Sequence, residues 1–451
     1  MKILHTADWH LGASLDSVSL LEDQRRFLDW LLEVIQDEGI DALLVSGDVF
    51  DLRNPSAEAQ SLYYRFLARL AALDPAPVAV ITAGNHDSAS RLGAPAELLD
   101  ALRIRVVGGV GPRETWPERL LVPLPDAERP RVVVAAVPYV HEYTLGVSPV
   151  GLAPGELGRA MHDAFADLYE TLAREAEHRW PQARRIAMGH LTVAGGPLDR
   201  NDFPNEIHQV GTIDALSPTL FGTGWDYVAL GHIHRPMRAG SSHCRYSGTP
   251  VAISFGEGSP ARQVRLLDVP EDGEPGHRAR SDAGGLSHRS RSDAGGLPHR
   301  SLFDAVGISH RAIPVPRNRT LVRLEGTEEE VLAGLRETAF PGELEPLLRV
   351  DVTVSRWDPT LELRIREAVD ALDGGEPRLL SVVQRTPGAP GDTGDRSADG
   401  PALEDLRPDQ VFRRLVTARR GGEAPEDDDA LMVAFREILS APEAEDGEGE
   451  P

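Results

Sequence analysis

Short apolar runs alternate with stretches of helical periodicity over the first 260 residues. Six apolar runs predict buried strands, at 2–6, 42–46, 78–82, 132–136, 186–188 and 227–230. Leu28, Leu31, Leu32 and Ile35 share one helix face, and that helix is predicted to end at Gly39. Further helices are predicted from Asn54-Pro55 onwards and over 158–179, and two more strands within 245–269. This alternation predicts a layered α/β fold.

Residues 271–311 break the pattern. His-Arg recurs at 277, 288, 299 and 310, and aspartates at 282, 293 and 304 keep the same interval of 11 residues. The repeat is rich in Gly, Ser and Arg and has too little apolar content to bury a core. We expect residues 271–319 to be a disordered insertion produced by duplication. The alternative is a flexible arginine-rich arm that contacts nucleic-acid phosphates.

The periodicity returns after the insertion. A small α/β unit is predicted over 320–386, with strands at 320–324, 348–354 and 379–385 and helices at 328–338 and 361–372. Residues 387–406 are rich in Gly, Pro and Asp and predict a linker. The predicted domains are 1–270, the insertion 271–319, the unit 320–386, the linker 387–406, a helical segment 407–440 and an acidic tail 441–451.

Composition narrows the possible function classes. The net charge of −24 argues against a protein that binds nucleic acid alone by covering phosphates with basic side chains. Any nucleic-acid role therefore needs metal ions, local basic patches or a partner. Cys244 is the single cysteine, which excludes intrachain disulfides and cysteine-rich zinc sites. We expect no membrane-spanning helix and a cytoplasmic protein, since neither a long apolar run nor a signal-peptide pattern is present.

Five segments place metal-ligating side chains after strand-like runs. They are Asp8-Trp9-His10, Gly47-Asp48-Val49-Phe50-Asp51, Gly84-Asn85-His86-Asp87, Gly189-His190 and Gly231-His232-Ile233-His234. Each is weak alone, because Asp-x-His and Gly-Asp also occur in caps and turns. Together they would meet where the carboxyl ends of the strands share one edge. Two aspartates, one asparagine and four histidines suit two ions that share a carboxylate, with Mn²⁺, Fe²⁺ or Zn²⁺ favoured. Such a pair can clamp a displacement at phosphorus.

The order D-x-H, GD-x-x-D, GNHD, GH and GHxH resembles the calcineurin-like metallophosphoesterase superfamily over about residues 1–255. The start MKILHTADWHLG and the segments SGDVFD, AGNHDS and YSGTPVAISFGE (246–257) are similar to nuclease subunits of bacterial DNA-repair complexes. The resemblance implies a sandwich of two sheets flanked by helices. It also implies that 320–386 is a small α/β capping domain, followed by a C-terminal helical pair. The 11-residue repeat is not part of the family pattern.

The resemblance also implies two sets of metal ligands. One set is Asp8, His10, Asp48 and His234; the other is Asp48, Asn85, His190 and His232, with Asp48 bridging. His86 falls on the family's catalytic histidine, which stabilises the transition state or protonates the leaving oxygen. Asp51 falls where many members have an acidic partner for that histidine, and its alternative role is a helix cap. Arg91 either contacts substrate phosphate or forms a surface salt bridge.

The leading hypothesis is a metal-dependent DNA nuclease subunit with two divalent cations, expected to be Mn²⁺. The resemblance implies a coiled-coil ATPase partner, exonuclease action on double strands, and endonuclease action on single strands and hairpins in repair and recombination. It also implies a homodimer within a heterotetramer. The helices predicted at 408–418 and 428–440 have apolar faces that either bind the ATPase or dock on this chain.

Two alternatives remain open. One is a metallophosphoesterase that acts on a nucleotide, a phosphoprotein or another small phosphodiester. Serine/threonine phosphatases usually carry GD-x-x-DRG and GNHE, whereas this chain has Asp51-Leu52-Arg53 and GNHD, which disfavours that branch. The other alternative is a non-catalytic binding scaffold, which the intact ligand set and His86 disfavour.

Overall fold

The computed structural model describes residues 1–147, 154–193, 215–258, 261–270, 308–372 and 377–386. Its strands are β1 (Lys2–Thr6), β2 (Ser14–Leu15), β3 (Val18–Ser19), β4 (Ala42–Ser46), β5 (Val78–Thr82), β6 (Ile104–Val107), β7 (Leu121–Leu124), β8 (Val132–Ala136), β9 (Arg184–His190), β10 (Tyr227–Gly231), β11 (Met237–Arg238), β12 (Cys244–Tyr246), β13 (Gln263–Asp268), β14 (Ser309–Pro314), β15 (Leu321–Gly326), β16 (Leu347–Thr353) and β17 (Arg378–Arg385). Its α-helices are α1 (Leu21–Glu38), α2 (Ala57–Ala71), α3 (Ala89–Gly93), α4 (Ala96–Asp100), α5 (Trp116–Leu120), α6 (Pro154–Arg179), α7 (Glu328–Glu337) and α8 (Leu361–Asp370).

Two six-stranded sheets form the main body. The first has the order β14-β13-β1-β4-β5-β6, and the second has the order β11-β12-β10-β9-β8-β7. The central strands are parallel within each sheet. Every residue of β4, β5 and β8 is buried, as expected for parallel strands covered on both faces. The predicted sandwich of two sheets flanked by helices is therefore confirmed.

The core lies in two layers. Ile3 and Leu44 of the first sheet share one buried cluster with Val134 and Val228 of the second sheet. The opposite face of the first sheet packs against α1 and α2 in another cluster, which includes Phe27 and Phe66. Burial between the sheets and against helices holds the strands at fixed positions, and with them the loops that leave their carboxyl ends.

The helix ends follow local chemistry. As predicted, α1 ends at Gly39, which adopts a left-handed conformation with φ of 64°. The predicted start of the next helix at Asn54-Pro55 is slightly early. Ser56 is the N-cap of α2, and its side chain accepts a hydrogen bond from the backbone N–H of Ala59 at 3.2 Å.

The predicted insertion 271–319 is wrong for its last residues. Strand β14 pairs antiparallel with β13, so that His310 lies opposite Leu267 and Arg311 opposite Leu266. Ile308 is buried in the core between the sheets, and Ile313 packs against the cluster beneath α1 and α2. The fourth His-Arg copy is therefore part of the first sheet, where Ile308 and Ile313 on either side of it contribute apolar packing. Residues 271–307 lie outside the described residues.

A small α/β unit follows, as predicted. Its three parallel strands have the order β15-β16-β17. Val331 of α7 and Ile365 of α8 share one buried cluster with Leu348 of β16. Arg319 ties this unit to α1, since its Nη2 donates to Asp23 Oδ2 at 2.9 Å and both side chains are largely buried.

The predicted linker 387–406, helical segment 407–440 and tail 441–451 lie outside the described residues. Among the helices that the structure does describe, none has the length and apolar character to cross a membrane.

Candidate metal centre

All seven predicted ligands come together where the two sheets meet. Asp8 and His10 follow β1, Asp48 follows β4, and Asn85 follows β5 of the first sheet. His190 is the last residue of β9, while His232 and His234 follow β10 of the second sheet. Both sheets thus direct the carboxyl ends of their parallel strands to one edge, which is where the sequence predicted the site.

One group of ligand atoms belongs to Asp8, His10 and His234. Potential ligand atoms of these three side chains lie within 4.8 Å of one another. The Nε2 atoms of His10 and His234 are 3.0 Å apart. Asp8 and His10 are almost completely buried. Two imidazole nitrogens and a carboxylate in this arrangement have the chemistry of a transition-metal site.

A second group belongs to Asp48, His190 and His232. Asp48 Oδ2 lies 3.2 Å from His190 Nε2 and 3.6 Å from His10 Nε2, so this carboxylate lies between the two groups. Asn85 Oδ1 is 3.0 Å from His190 Nε2 and 3.2 Å from His232 Nδ1. The arrangement fits a bridging role for Asp48.

Four of these residues have unusual backbone conformations. Asp8, His10, Asp48 and His232 have φ values of 54°, 45°, 49° and 93°. A left-handed conformation costs a residue other than glycine about 1–3 kcal/mol, and such strain concentrates at functional sites. Backbone hydrogen bonds hold the strained turns, among them that from the N–H of Asp8 to Gly47 O at 3.0 Å.

Two positions beside the proposed ligands require glycine for a steric reason. A Cβ at Gly47 would lie 2.1 Å from His190 Nδ1, and a Cβ at Gly84 would lie 2.1 Å from Asp48 Oδ1. Both distances are shorter than any tolerable contact. The two glycines therefore allow side chains from neighbouring strands to approach the backbone closely enough to form one centre.

Gly84→Ala is expected to displace the Asp48 carboxylate and to weaken cation binding by about 10–100-fold, the scale typical of residues that orient metal ligands. Gly93→Ala is the matched control, because a Cβ at Gly93 meets no atom within 4 Å. Metal content after equilibrium dialysis would measure the effect. Equal metal content in the two variants would contradict the steric explanation.

Unsatisfied polar atoms mark this centre. Asp8 Oδ2 and His232 Nε2 are buried and have no hydrogen-bond partner among the described residues. Buried polar atoms almost always have a hydrogen-bond partner. Two such atoms without one in the same cluster indicate that they bind an electron-pair acceptor, such as a metal cation. Oxygen and imidazole donors without a thiolate suit Mn²⁺, Fe²⁺ or Zn²⁺. The residues present therefore fit a pair of divalent cations.

The electrostatics of the protein alone favour protons on two of the proposed ligands, Asp8 and His190. Burial raises the pKa of Asp8. Burial tends to lower the pKa of His190, but the Asp48 carboxylate outweighs it and raises that pKa to about 9. Cation binding at this centre therefore competes with a proton. The Nδ1–H of His190 donates to Ser46 O at 2.9 Å, which directs Nε2 towards Asp48 and Asn85.

His86 is fixed beside the ligands. Its backbone N–H donates to Asp48 Oδ1 at 2.9 Å, and its ring lies 4.9 Å from that of His10. The predicted hydrogen bond from His86 to the Asp51 carboxylate is wrong. The Nδ1 of His86 donates instead to the backbone carbonyl of Asp51 at 2.8 Å, while the carboxylate lies 3.4 Å from His10 Nδ1. The reason is the backbone bond from Asp51 to Leu11 O, which holds residues 49–51 alongside the loop after β1.

Two functional carboxylates were not assigned roles from the sequence. Asp87 accepts hydrogen bonds from the N–H groups of Val49, Phe50 and Gly84 at 2.8–3.0 Å, and so joins the GNHD loop to the loop after β4. Burial and the nearby Asp48 raise its pKa to about 6. Glu257 lies 3.0 Å from His234 Nδ1. In the sequence, Asp87 and Glu257 are the last residues of the segments GNHD (84–87) and SFGE (254–257), and this was the signal that could have identified them.

The predicted phosphate contact Arg91 is exposed and lines a cavity of about 420 Å³ with Arg53, Tyr64 and Phe50. Within the described part of the chain, no side chain forms a hydrogen bond or an ion pair with it, which disfavours the surface salt bridge. Two residues that line the cavity are close in sequence to the candidate centre: Phe50 precedes Asp51, and Ser88 is two residues after His86. The cavity therefore adjoins the candidate centre.

Comparison with known proteins gives two family matches. A model described as calcineurin-like phosphoesterase matches residues 1–236, and one described as type 5 capsule protein repressor C-terminal domain matches residues 317–420. Three curated relatives are SbcD chains of the nuclease SbcCD. They come from Rhodobacter capsulatus (40% identity, covering 61% of this chain and 68% of the relative), Escherichia coli K12 (36%, 59% and 64%) and Bacillus subtilis 168 (35%, 62% and 68%).

Proposed function

The chain belongs to the calcineurin-like phosphoesterase family and, within it, to the SbcD nuclease subunits, and from this membership we propose that it hydrolyses phosphodiester bonds in DNA. The observation that carries the proposal is the convergence of seven ligand side chains, with Asp48 between the two groups. We assign it, with an SbcC-like ATPase, ATP-dependent exonuclease action on double strands. We also assign it endonuclease action on single strands and hairpins, in DNA repair and recombination.

The proposed ligand sets are those that the geometry supports. Asp8, His10, Asp48 and His234 hold one cation, and Asp48, Asn85, His190 and His232 hold the other. Mn²⁺ is the proposed metal. The oxygen and imidazole donors, with no thiolate among them, are compatible with it, as they are with Fe²⁺ and Zn²⁺. When bound, two such cations supply Lewis-acid stabilisation of the charge that develops on a phosphate in a displacement reaction.

His86 is the proposed catalytic residue. Because its Nδ1–H donates to Asp51 O, its Nε2 is directed towards the ligand groups, where potential ligand atoms of His10, Asp48 and His86 lie within 4.8 Å. As an imidazolium, with a second proton on Nε2, His86 would donate that proton to the leaving oxygen or stabilise the charged phosphate. Asp51 is a positioning residue, because it acts on His86 through its carbonyl. The Arg91 guanidinium beside this centre supplies positive charge for a neighbouring phosphate.

The proposal is tested with purified protein and Mn²⁺ on three substrates: linear duplex DNA, hairpin DNA and a chromogenic phosphodiester. Each substrate is incubated with and without the ATPase subunit. We expect hydrolysis of the chromogenic ester by the chain alone and ATP-dependent cleavage of both DNAs by the complex. Hydrolysis of the small ester with no cleavage of DNA, even with the ATPase present, would favour a nucleotide or small-phosphodiester substrate instead.

The proposed partner surface is the segment 407–440, which the sequence predicts to be helical. Its sequence carries apolar residues at helical spacing, namely Val411, Phe412, Leu415, Leu431, Phe435 and Leu439. The net charge of −24 supports the proposal that this chain acts with a DNA-binding partner, because the chain alone repels DNA at long range. We propose that this segment binds the base of an SbcC-like coiled-coil ATPase. We also propose that two copies of this chain pair within a heterotetramer, and that a chromosomal substrate places the complex in the cytoplasm.

Deleting residues 407–451 is expected to leave the Mn²⁺-dependent hydrolysis of the chromogenic ester unchanged and to abolish binding to the ATPase. The reason is that all proposed ligands and His86 lie before residue 235. Co-elution with the ATPase on size-exclusion chromatography measures binding. Deletion of the tail 441–451 alone is the control and should keep the complex. Undiminished co-elution of the longer deletion would overturn the assignment of the surface.

A further inference from the structure

The ligand His234 is supported by a carboxylate from a distant part of the chain. Glu257 Oε1 lies 3.0 Å from His234 Nδ1. The two side chains are only 16% and 10% exposed, so water screens this contact weakly. A histidine that donates through Nδ1 to a carboxylate keeps the Nε2 lone pair for a metal. In this structure, Nε2 of His234 is the atom that faces His10.

The carboxylate is itself held in place. Glu257 Oε2 accepts a hydrogen bond from the backbone N–H of Ile253 at 3.0 Å. Arg262 Nη2 lies 3.8 Å from the same oxygen, and its Nη1 donates to His234 O at 2.9 Å. The arginine therefore contacts both members of the pair. Glu257 has little freedom to turn away, as a residue that orients a ligand requires.

Two other histidines of the centre have a neutral acceptor at Nδ1, whereas His10 Nδ1 lies 3.4 Å from the Asp51 carboxylate. His190 donates to Ser46 O and His86 donates to Asp51 O, both of which are backbone carbonyls. The acceptor of His234 carries a full negative charge. A carboxylate acceptor raises the basicity of the imidazole and strengthens its bond to a metal more than a carbonyl does. The two cation sites are therefore built unequally.

We propose that Glu257 is a positioning residue that fixes the tautomer and orientation of His234 and makes the cation held by Asp8, His10 and His234 the more tightly bound of the two. The proposal rests on the proposed ligand sets. It does not depend on which phosphodiester is the substrate. The two sites would then fill in order as the free cation concentration rises. The site that contains His234 would retain its cation at concentrations that leave the other site unfilled.

The location of Glu257 connects this pair to the small α/β unit. A Cβ at Gly258, the next residue, would lie 2.9 Å from Leu321 O of β15. Ile253 and Phe255 pack with Leu321 and Leu380 of the small unit around one buried cluster. The segment that carries Glu257 is thus held between the sandwich and the small unit, which gives the carboxylate a rigid support.

The test is a titration of metal-free full-length protein with Mn²⁺, with free Mn²⁺ followed by electron paramagnetic resonance. The wild type is expected to bind one cation tightly and one more weakly. In Glu257→Gln, which keeps the shape but removes the charge, the tighter affinity should fall by about 10–100-fold, and the weaker affinity should remain. Excess Mn²⁺ should restore a stoichiometry of two cations.

Asp23→Asn is the matched control. It removes the charge of another buried carboxylate, one that pairs with Arg319 and, among the described residues, forms no ion pair or hydrogen bond with a proposed ligand side chain. If Glu257 is merely structural, both variants will lower the melting temperature of the metal-free protein and leave both Mn²⁺ affinities unchanged, which would overturn the proposal. Loss of both affinities in Glu257→Gln would overturn it too, because the effect would then not be confined to one site.

A measurement on the wild type covers the case in which Glu257→Gln does not fold. With ¹⁵N-labelled histidine and Zn²⁺ as a diamagnetic cation, His234 is expected to carry its proton on Nδ1. That proton should be shifted downfield by the carboxylate. A proton on Nε2 of His234 would overturn the proposal. Neither experiment uses DNA, so a failure of the proposed nuclease activity is distinguished from a failure of this inference.

Discussion

Asp48→Ala is expected to empty both cation sites and to lower hydrolysis of a phosphodiester by more than about 1,000-fold. Removing a single group that stabilises transition-state charge already costs about 100–1,000-fold, and this substitution removes a ligand shared by two cations. The structural reason is the location of the carboxylate: Oδ2 lies within 3.6 Å of ligand nitrogens from both groups, and Oδ1 accepts the backbone N–H of His86.

Metal content by mass spectrometry and initial rates with Mn²⁺ measure the two effects of Asp48→Ala together. Asp226→Asn is a suitable control, because that carboxylate bonds to the backbone of Arg185 and to Arg184 and is not among the proposed ligands. Two cations retained by Asp48→Ala would show that Asp48 does not bridge. One cation retained would place Asp48 in a single set.

His86→Ala is expected to retain both cations and to lower kcat by about 100–10,000-fold, the range for loss of a group that transfers a proton in the transition state. The substitution leaves all seven proposed ligands in place. It removes the imidazole whose Nδ1 bonds to Asp51 O, and with it the nitrogen directed at the ligand groups. KM should change little, since the missing interaction is made in the transition state.

The competing interpretation of His86 is that it is itself a ligand, because a ring nitrogen of His86, a ring nitrogen of His10 and a carboxylate oxygen of Asp48 lie within 4.8 Å of one another. Metal content separates the two roles. Loss of a cation in His86→Ala would make it a ligand, whereas full metal content with a low kcat supports the catalytic role. His162→Ala, on the exposed side of α6, is the control and should keep both the metal content and the rate.

The sequence predicted most of the central strands to the residue. The runs at 42–46, 78–82 and 132–136 are buried on both faces, so their boundaries are where apolar residues stop. The start of α2 was less predictable, because a cap depends on one side-chain hydrogen bond from Ser56. Strand β14 was missed because its pairing with β13 is set by residues distant along the chain, while its own sequence continues a repeat.

Some features of the candidate site were likewise predictable from the sequence, and others were not. The convergence of the seven proposed ligands was predictable, since each lies at the carboxyl end of a strand and these ends meet at one edge. The partner of His86 was not, because its acceptor is a backbone carbonyl, which any residue at position 51 would supply. The role of Glu257 was not predictable from the sequence either, because its contact with His234 joins a loop after β12 to a loop after β10. Side-chain chemistry is visible in the sequence, whereas backbone direction depends on the packed fold.

The pairing of β13 with β14 allows the segment between these two strands to vary in length at little cost. Asp268 and Ser309 lie opposite each other in the sheet, so the connection between them leaves and re-enters the structure at adjacent points. For such a connection the cost of loop closure grows only with the logarithm of its length, at about 0.6 kcal/mol for each doubling. The 11-residue repeat therefore enters the chain where added length costs little, at the end of β1 opposite the loops that carry the proposed ligands.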